Sequence, residues 1–577
     1  MKNKSTPIIV SICILLLMVP PLSLLYYINA FGVNVVFWDD WQEVNLVQKT
    51  MNRTLSFSDL LVQHNEHRMP FPDLFMIAIE ILTQYNMVAV MFFSWILICL
   101  TALFIFLLFR RQFHWSNYPK LTLIFLPALL ILFSFKQWGS ILWAITSQIY
   151  LMIFGVVAAF SLLEMSKKVD VWFASSILAA SLASFSYLAG LLAWPVGLFQ
   201  IIISKKEKAL SRMAIWCTVS VFVFTSYFWG WVKPSYHPPL NYVLTEPVDA
   251  TKYFFAFVGS PFFWDSVVTS EIAGLLVTLI AVSVLVYTYR SKVLRNNGVW
   301  LSLILFAALS ALITTVGRSG FGTVQAEDSR YTPMIALGAI GLYFLALSLF
   351  AKPSGRRRAG AYALFVLVAL SIISAYSTGS YTGWFQGQDW KSSREMGAYI
   401  LLTYKMQSDE NIVKYLCWDT RLVRSEAEFL EKNRFSVFSG PVVNESDLIP
   451  LYSDTFFALE TINGKIASGQ NADLSINSSQ CQTITITGWA VDKQANDVAS
   501  GVFITIDDRV SIPAFYGLDR SDVAVYLGNP RFRFSGYIAM FSSSVVSTGK
   551  HIMSLKIVGK GGHYCYCENY GLSFTVT

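Results

Sequence analysis

Apolar side chains run in long unbroken blocks over the first two thirds of this chain and in short alternating runs over the last third. Between Pro7 and Tyr376, mostly apolar stretches follow one another with short breaks. A helix rises 1.5 Å per residue and the hydrocarbon core of a bilayer is about 30 Å thick, so about 20 such residues cross it. Eleven stretches are candidates: 7–28, 85–109, 120–135, 143–164, 171–186, 188–204, 213–231, 271–290, 298–316, 331–350 and 359–378. The run 171–204 is too long for one helix, and Gly190 and Pro195 put a break or a re-entrant turn inside it. The first stretch is long, lacks a small-residue cleavage site after it and precedes further spans, so it reads as a helix and not as a signal peptide.

From Gly379 the pattern changes. Residues 380–470 mix helical stretches, Lys391 to Met406 and Arg424 to Lys432, with apolar runs. They read as a small α/β or irregular connector. Residues 471–577 read as all-β. Thr483 to Trp489 alternates, Gly501 to Asp507 reads as a strand, and Asp507-Asp508 is a turn signal. Later short runs are separated by Gly-Asn-Pro, Thr-Gly-Lys and Gly-Lys-Gly-Gly, which suggests a β-sandwich. The expected fold is mainly α: a transmembrane helical domain of about eleven spans over 1–378, a connector over 379–470 and a β-sandwich over 471–577.

Charge orients this arrangement. Lys2 and Lys4 precede the first span, and Arg110 and Arg111 follow the second. Then come Lys167 and Lys168; Lys205, Lys206 and Lys208; Arg290, Lys292 and Arg295; and Arg356 to Arg358. With eleven alternating helices all of them fall on one side, which the excess of Lys and Arg marks as cytoplasmic. Loops 29–84, 232–270 and 317–330, and the tail from 379, then lie on the opposite, non-cytoplasmic side. The composition agrees. Hydrophobic residues make up 54% and charged residues 14%, where a soluble domain carries about 25% charged. The net charge of +7 sits at the ends of apolar segments and does not form a phosphate-tracking groove, so nucleic acid is not a partner. Cys13, Cys99 and Cys217 lie in apolar segments and read as packing residues. In an oxidising space Cys481 can bridge to Cys565 or Cys567. Cys565-Tyr566-Cys567 lacks the spacing of a metal site.

Candidate chemistry lies in the outer loops. Phe37-Trp38-Asp39-Asp40-Trp41 follows the first span, and His64-Asn65-Glu66-His67-Arg68 comes some 25 residues later. Of two adjacent carboxylates, one can take a proton from a sugar hydroxyl while the other orients it or shares a metal. A solvated acidic turn beside interfacial aromatics has the same sequence. His64, Glu66 and His67 lack HExxH spacing and a third ligand, so they read as a cluster that positions substrate by hydrogen bonds. A divalent metal is compatible but not strongly implied, and no metal ligand is assigned. Arg318 and Arg330-Tyr331 border the loop 317–330. A guanidinium there suits a phosphate, which it binds bidentately, or snorkels from a helix end.

In order and sidedness these motifs resemble the GT-C superfamily of membrane glycosyltransferases, which use polyprenyl-phosphate sugars. More narrowly, Asp39-Asp40-Trp41 and His64 to Arg68 are similar to the first periplasmic loop of the bacterial, O-antigen-modifying, serotype-converting type. The resemblance continues through Gly190 to Gly197, Gly317-Arg318 and Ser329-Arg330-Tyr331. It reaches the tail at Gly488 to Asp492 and at Tyr516 to Leu518 with Arg520, Asp522 and Val523. One departure is Asp40, where the pattern often has Glu, which leaves Asp39 as the safer base. The resemblance implies a hexosyltransferase. A sugar such as glucose passes from polyprenyl phosphate to a lipid-linked or surface glycan such as O-antigen. Asp39 and Asp40 are catalytic, and Trp41, His64, Glu66, His67, Arg68, Arg318, Arg330 and Tyr331 bind substrate. A transporter or lipid-linked-sugar flippase is the alternative, but it calls for ionisable residues within the spans, and few are present, Glu80 and Glu164 being nearest. A membrane anchor displaying a glycan-binding sandwich would need one span only.

Overall fold

The computed structural model describes residues 5–113, 117–204, 206–262, 266–350, 356–440, 448–451, 456–466, 474–476, 482–562 and 564–577. The chain divides into two compact units, one formed by Met1–Gly32 and Lys49–Lys391 and the other by Val33–Gln48 and Ser392–Thr577.

The first unit is a helical bundle. Among the described residues nine helices are long and apolar enough to cross a membrane, from Pro7–Phe31 to Ala359–Leu402. The two remaining candidates are shorter: Val171–Ser184 has 14 residues and Ala193–Ser204 has 12. At 1.5 Å per residue they reach roughly 21 and 18 Å, short of a bilayer core. The break expected near Gly190 is a 3-10 turn, Leu188–Leu192. Gly190 lies so close to the carbonyl of Ala183 that a Cβ would not fit. The pair leaves and returns to the same end, because the Lys206 ammonium donates to the carbonyls of Leu163 (3.3 Å) and Glu164 (2.5 Å) at the end of helix Ser147–Met165. Other segments read as cytoplasmic meet there too. Gln112 donates to Asn297 at 2.8 Å, and Arg295 Nε donates to the Ser204 carbonyl at 3.3 Å.

The last span belongs to a 47-residue helix, Arg356–Leu402, which runs well past residue 378, where the membrane domain was expected to end. Its small face, Gly379, Gly383 and Gly387, repeats every fourth residue. A Cβ at Gly379 would sit 2.8 Å from the Lys136 side chain and one at Gly387 would sit 2.5 Å from the Tyr27 hydroxyl. The space is used: the Tyr27 hydroxyl donates to the Gly383 carbonyl at 2.5 Å. Small residues at i and i+4 let helices approach this closely where lipid offers no hydrophobic drive.

Among the described residues the second unit carries two six-stranded sheets that share one apolar core. In one, Gly549–Val558 lies between Gly501–Ile506 and Tyr564–Val576. In the other, Thr483–Asp492 lies between Gly536–Ser542 and Phe456–Ile462. Strands Ile449–Leu451 and Phe456–Ile462 belong to these sheets, so the sandwich begins upstream of residue 471 and takes in part of the stretch read as connector. Alternation explains the core: Ile484, Ile486 and Ala490 point inward and are fully buried, as are Ile504, Leu555 and Ile557. Helical segments lie against the sandwich. The Tyr399 hydroxyl donates to the Pro513 carbonyl at 3.0 Å, and Gln407 Nε2 donates to that of Met540 at 2.7 Å. Cys481 and the Cys567 side chain lie outside the described residues, and with them the expected disulfide.

The tail motif residues hold the sandwich. Asp492 is fully buried and accepts from Lys560 N–H at 2.7 Å and the Tyr564 hydroxyl at 2.6 Å. The Tyr516 hydroxyl donates to the Ala490 carbonyl at 2.7 Å. Arg520 forms a bidentate pair with Glu460, both bonds at 2.7 Å. Asp507 and Asp508 both have positive φ, 51° and 53°, and turn the chain between paired strands, as their residue type favours.

Candidate functional site

The motif His64 to Arg68 folds as a hairpin. Gln63 pairs with Arg68 and His64 with His67, which leaves Asn65-Glu66 as a two-residue turn. Asn65 takes φ 51°, a left-handed conformation that Asn adopts more readily than other side chains. The spacing of the two histidines is therefore that of a turn, with Glu66 at its tip. The hairpin is pinned to the end of helix Ala209–Phe228. Arg68 donates to the carbonyls of Tyr227 (2.7 Å), Trp229 (2.5 Å) and Leu61. The Glu66 carbonyl accepts from the Tyr227 hydroxyl at 3.1 Å and from Trp231 Nε1 at 3.2 Å. Arg68 thus acts here as a strut. Three of its five N–H donors go to backbone carbonyls.

Three side chains converge on the Glu66 carboxylate. Arg318 donates to one oxygen, and His67 Nε2 stands 3.6 Å from that same oxygen. His237 Nε2 stands 3.6 Å from the other. His67 Nδ1 accepts from the Leu188 N–H at 3.2 Å, which puts the proton of the neutral ring on Nε2, toward Glu66. The His67 ring stacks on Tyr187 with centroids 4.0 Å apart. His64 is buried across the hairpin from His67. Burial alone would raise the Glu66 carboxyl, but the charges of His67, Arg318 and His237 outweigh it and hold it at about 2. Burial pushes His67 down to about 4, against the pull of Glu66. At neutral pH the ring is thus uncharged, and Arg318 is the cation that keeps Glu66 ionised. Burial lowers His237 as well, again against Glu66.

Glu66, His67, Tyr187, Trp231, Lys233, His237, Arg318 and Tyr331 contribute to one cavity of about 150 Å³, with Leu188, Leu240, Ile313 and Val316 on its apolar wall. Tyr331 is held by Gln325 Nε2, which donates to its hydroxyl at 2.6 Å, and Gln325 in turn accepts from Tyr253. Arg330 pairs with Asp328 at 2.7 Å and keeps its buried Nε without a protein partner. All the segments that meet here were read as lying on one side of the membrane or at a break facing it. Tyr187, Trp231, Lys233 and His237 were not picked out from sequence. The run Trp229-Gly-Trp-Val-Lys-Pro-Ser-Tyr-His237, rich in aromatic residues across the end of the span 213–231 and the start of the loop after it, was the available signal.

Asp39 and Asp40 belong to the second unit. Trp38–Asp40 is a 3-10 turn that leads into helix Trp41–Met51. Asp40 is buried and its carboxylate accepts from the Phe37 N–H at 3.2 Å, so it caps its own turn. Arg394 lies 3.4 Å from the centroid of the Phe37 ring, where it faces the Asp40 charge. Asp39 is only half-buried. Trp41 is fully buried, so its indole has no face to offer a sugar, contrary to the sequence reading; the exposed tryptophan of the motif is Trp38. Within the turn and the helix start, Asp40 and Trp41 face inward, Asp39 is half-buried and Trp38 is exposed. Among the described residues no three His, Cys, Asp or Glu side chains are arranged to hold a metal ion.

Fold and site together define a multi-pass membrane protein with a cationic, aromatic-walled cavity at one end of its helical bundle. No family model matches the chain, and no curated protein matches it. Among solved structures it is similar to ArnT from Cupriavidus metallidurans in the apo state, at 12% identity and a TM-score of 0.40 over 73% of this chain and 88% of that one. It is also similar to the same protein bound to undecaprenyl phosphate, at 12% identity and a TM-score of 0.36 over 75% and 89%.

Proposed function

We propose that this protein is an inner-membrane glycosyltransferase that moves a sugar, a hexose such as glucose, from polyprenyl phosphate to a surface glycan such as O-antigen on the periplasmic face. The observation that carries the reading is the composition of the cavity wall. Arg318 and Lys233 supply fixed positive charge for a phosphate, Tyr187 and Trp231 supply flat faces for a sugar ring, and Leu240, Ile313 and Val316 supply an apolar surface for a prenyl chain. In the proposed reaction Asp39 takes the proton of an acceptor hydroxyl. The freed oxygen attacks the anomeric carbon, the bond from that carbon to the phosphate oxygen breaks, and polyprenyl phosphate leaves with the bonding electrons. Arg330, with Arg318, stabilises the leaving phosphate. Stabilising charge that develops in the transition state is usually the largest catalytic contribution.

The test compares surface glycans of cells with and without the gene by mass spectrometry. A mass increment of one hexose that depends on the gene, and that disappears in Arg330→Lys, is the expected result. Arg and Lys are not interchangeable at a phosphate, because Lys lacks the planar fork. Identical glycans with and without the gene would overturn the proposal.

A further inference from the structure

Trp38 stands out in the second unit for its backbone and its exposure. Its φ is +48°, a left-handed conformation that is unfavourable for a bulky residue. Its N–H donates to the Leu416 carbonyl at 2.7 Å, which fixes this turn against a second one, more than 370 residues away in sequence. That second turn joins helices Asp409–Tyr415 and Thr420–Lys432. The Asp419 carboxylate locks it by accepting from the N–H groups of Arg421 (3.1 Å) and Leu422 (3.0 Å). Between the two capped ends, Leu416 and Cys417 are buried and Trp418 is turned out. Asp39 follows Trp38 directly, so the Trp38–Leu416 hydrogen bond brings it to this turn.

The result is two tryptophans, 44% and 68% exposed, held by hydrogen-bonded turns next to a half-buried carboxylate. Trp418 leaves most of its ring in solvent and Trp38 nearly half, at one place in the fold. The chemistry of the group fits a pyranose. One face of such a ring is a patch of C–H bonds that an indole can cover, and its rim carries hydroxyls that a carboxylate can accept from. We infer that Trp38 and Trp418 form a stacking platform for the acceptor sugar, whose reacting hydroxyl is then presented to Asp39. The inference rests on the glycosyl-transfer reading and assigns the acceptor side of that reaction to residues that the sequence did not link.

The experiment uses cells that make the full chain at low level, with the fraction of surface glycan carrying the gene-dependent mass increment as readout and membrane-inserted protein quantified in parallel. Trp418 is exposed and lies in a turn, so Trp418→Ala is expected to insert normally. A lost ring contact of about 1–2 kcal/mol corresponds to a loss of modification on the order of 10-fold. Trp418→Phe keeps a flat ring and should retain most of it. Trp38→Ala should behave as Trp418→Ala does. Normal modification by Trp418→Ala, in cells where the unsubstituted protein gives the increment, would overturn the platform and leave glycosyl transfer standing. A fall in inserted protein that accounts for the loss would also overturn it, marking the indole as an interfacial anchor. Absence of any increment from the unsubstituted protein would overturn the glycosyl-transfer reading itself, and the platform with it.

Discussion

At the scale of residues, two neighbouring aspartates have parted roles. Asp40 caps the turn that carries Asp39 and faces Arg394, while Asp39 is left half-buried and accessible. Asp39→Asn is therefore expected to lower glycan modification by on the order of 100- to 10,000-fold, the range for a lost general base, with no change in thermal unfolding. Asp40→Ala is expected to lower stability by about 1–2 kcal/mol through the lost cap, seen as a lower unfolding midpoint in detergent. Normal modification by Asp39→Asn would remove it as the base. His67 gives a pH prediction. Its folded pKa of about 4 lies below the ordinary histidine value, so the fold favours the neutral ring. The unfolded chain then takes up a proton as pH falls below about 6.5, while the folded chain does not until about 4. The stability this contributes is complete above 6.5 and is lost as pH falls through that window, by on the order of 3 kcal/mol. His67→Asn keeps an acceptor for the Leu188 N–H but cannot charge. Its unfolding midpoint should depend less on pH between 6.5 and 4 than that of the unsubstituted protein.

At the scale of elements, the decisive features are contacts that need a small residue or a particular turn. The glycine face of the last span is the clearest case. Gly383 leaves no room for a Cβ against Phe135, and its carbonyl accepts from Tyr27. Gly383→Leu must push the helix away from residues 134–136 and from the first span. Overpacking of this kind costs typically 1–3 kcal/mol, and the backbone collision here puts it at the upper end. Loss of the folded species in size-exclusion chromatography, or a sharply lower unfolding midpoint, is the expected outcome, while Gly360→Leu, on the same helix but with only the Tyr287 ring nearby, should be tolerated. The hairpin that carries Glu66 is a second case. Its His-Asn-Glu-His run, whose composition also fits a metal cluster, reads from sequence as positioning substrate by hydrogen bonds; it folds as a two-residue turn, because Asn65 accepts a positive φ and the flanking histidines pair across the strands. Spacing alone does not separate the two, since both put two histidines three residues apart.

At the scale of the whole molecule, the number of crossings stays odd whether 171–204 spans twice or leaves and returns to the same end. The basic clusters before and after it, at Lys167-Lys168 and Lys206, therefore stay on one side in either case. The tail is expected on the side opposite the N-terminus. A cysteine introduced at Ser500, which is exposed in the second unit, should react with an impermeant reagent once the outer permeability barrier is opened. Failure of the folded protein to label would reverse the orientation. What the sequence determined by itself was a bundle of membrane helices and a β-rich tail, though two of its eleven candidate spans are too short to cross. Each of these follows from the local period of apolar residues and from charge at segment ends. Which side chains face each other was decided only by the tertiary structure. Glu66 meets Arg318 and His237 from loops some 170 to 250 residues away, and Trp38 is tied to the turn before Trp418. Such contacts depend on how helix ends and turns pack, and a periodic pattern carries no record of which ends become neighbours. The same limit explains Trp41 and Trp38: the pattern marks both as aromatic, and only packing turns one inward and leaves the other exposed.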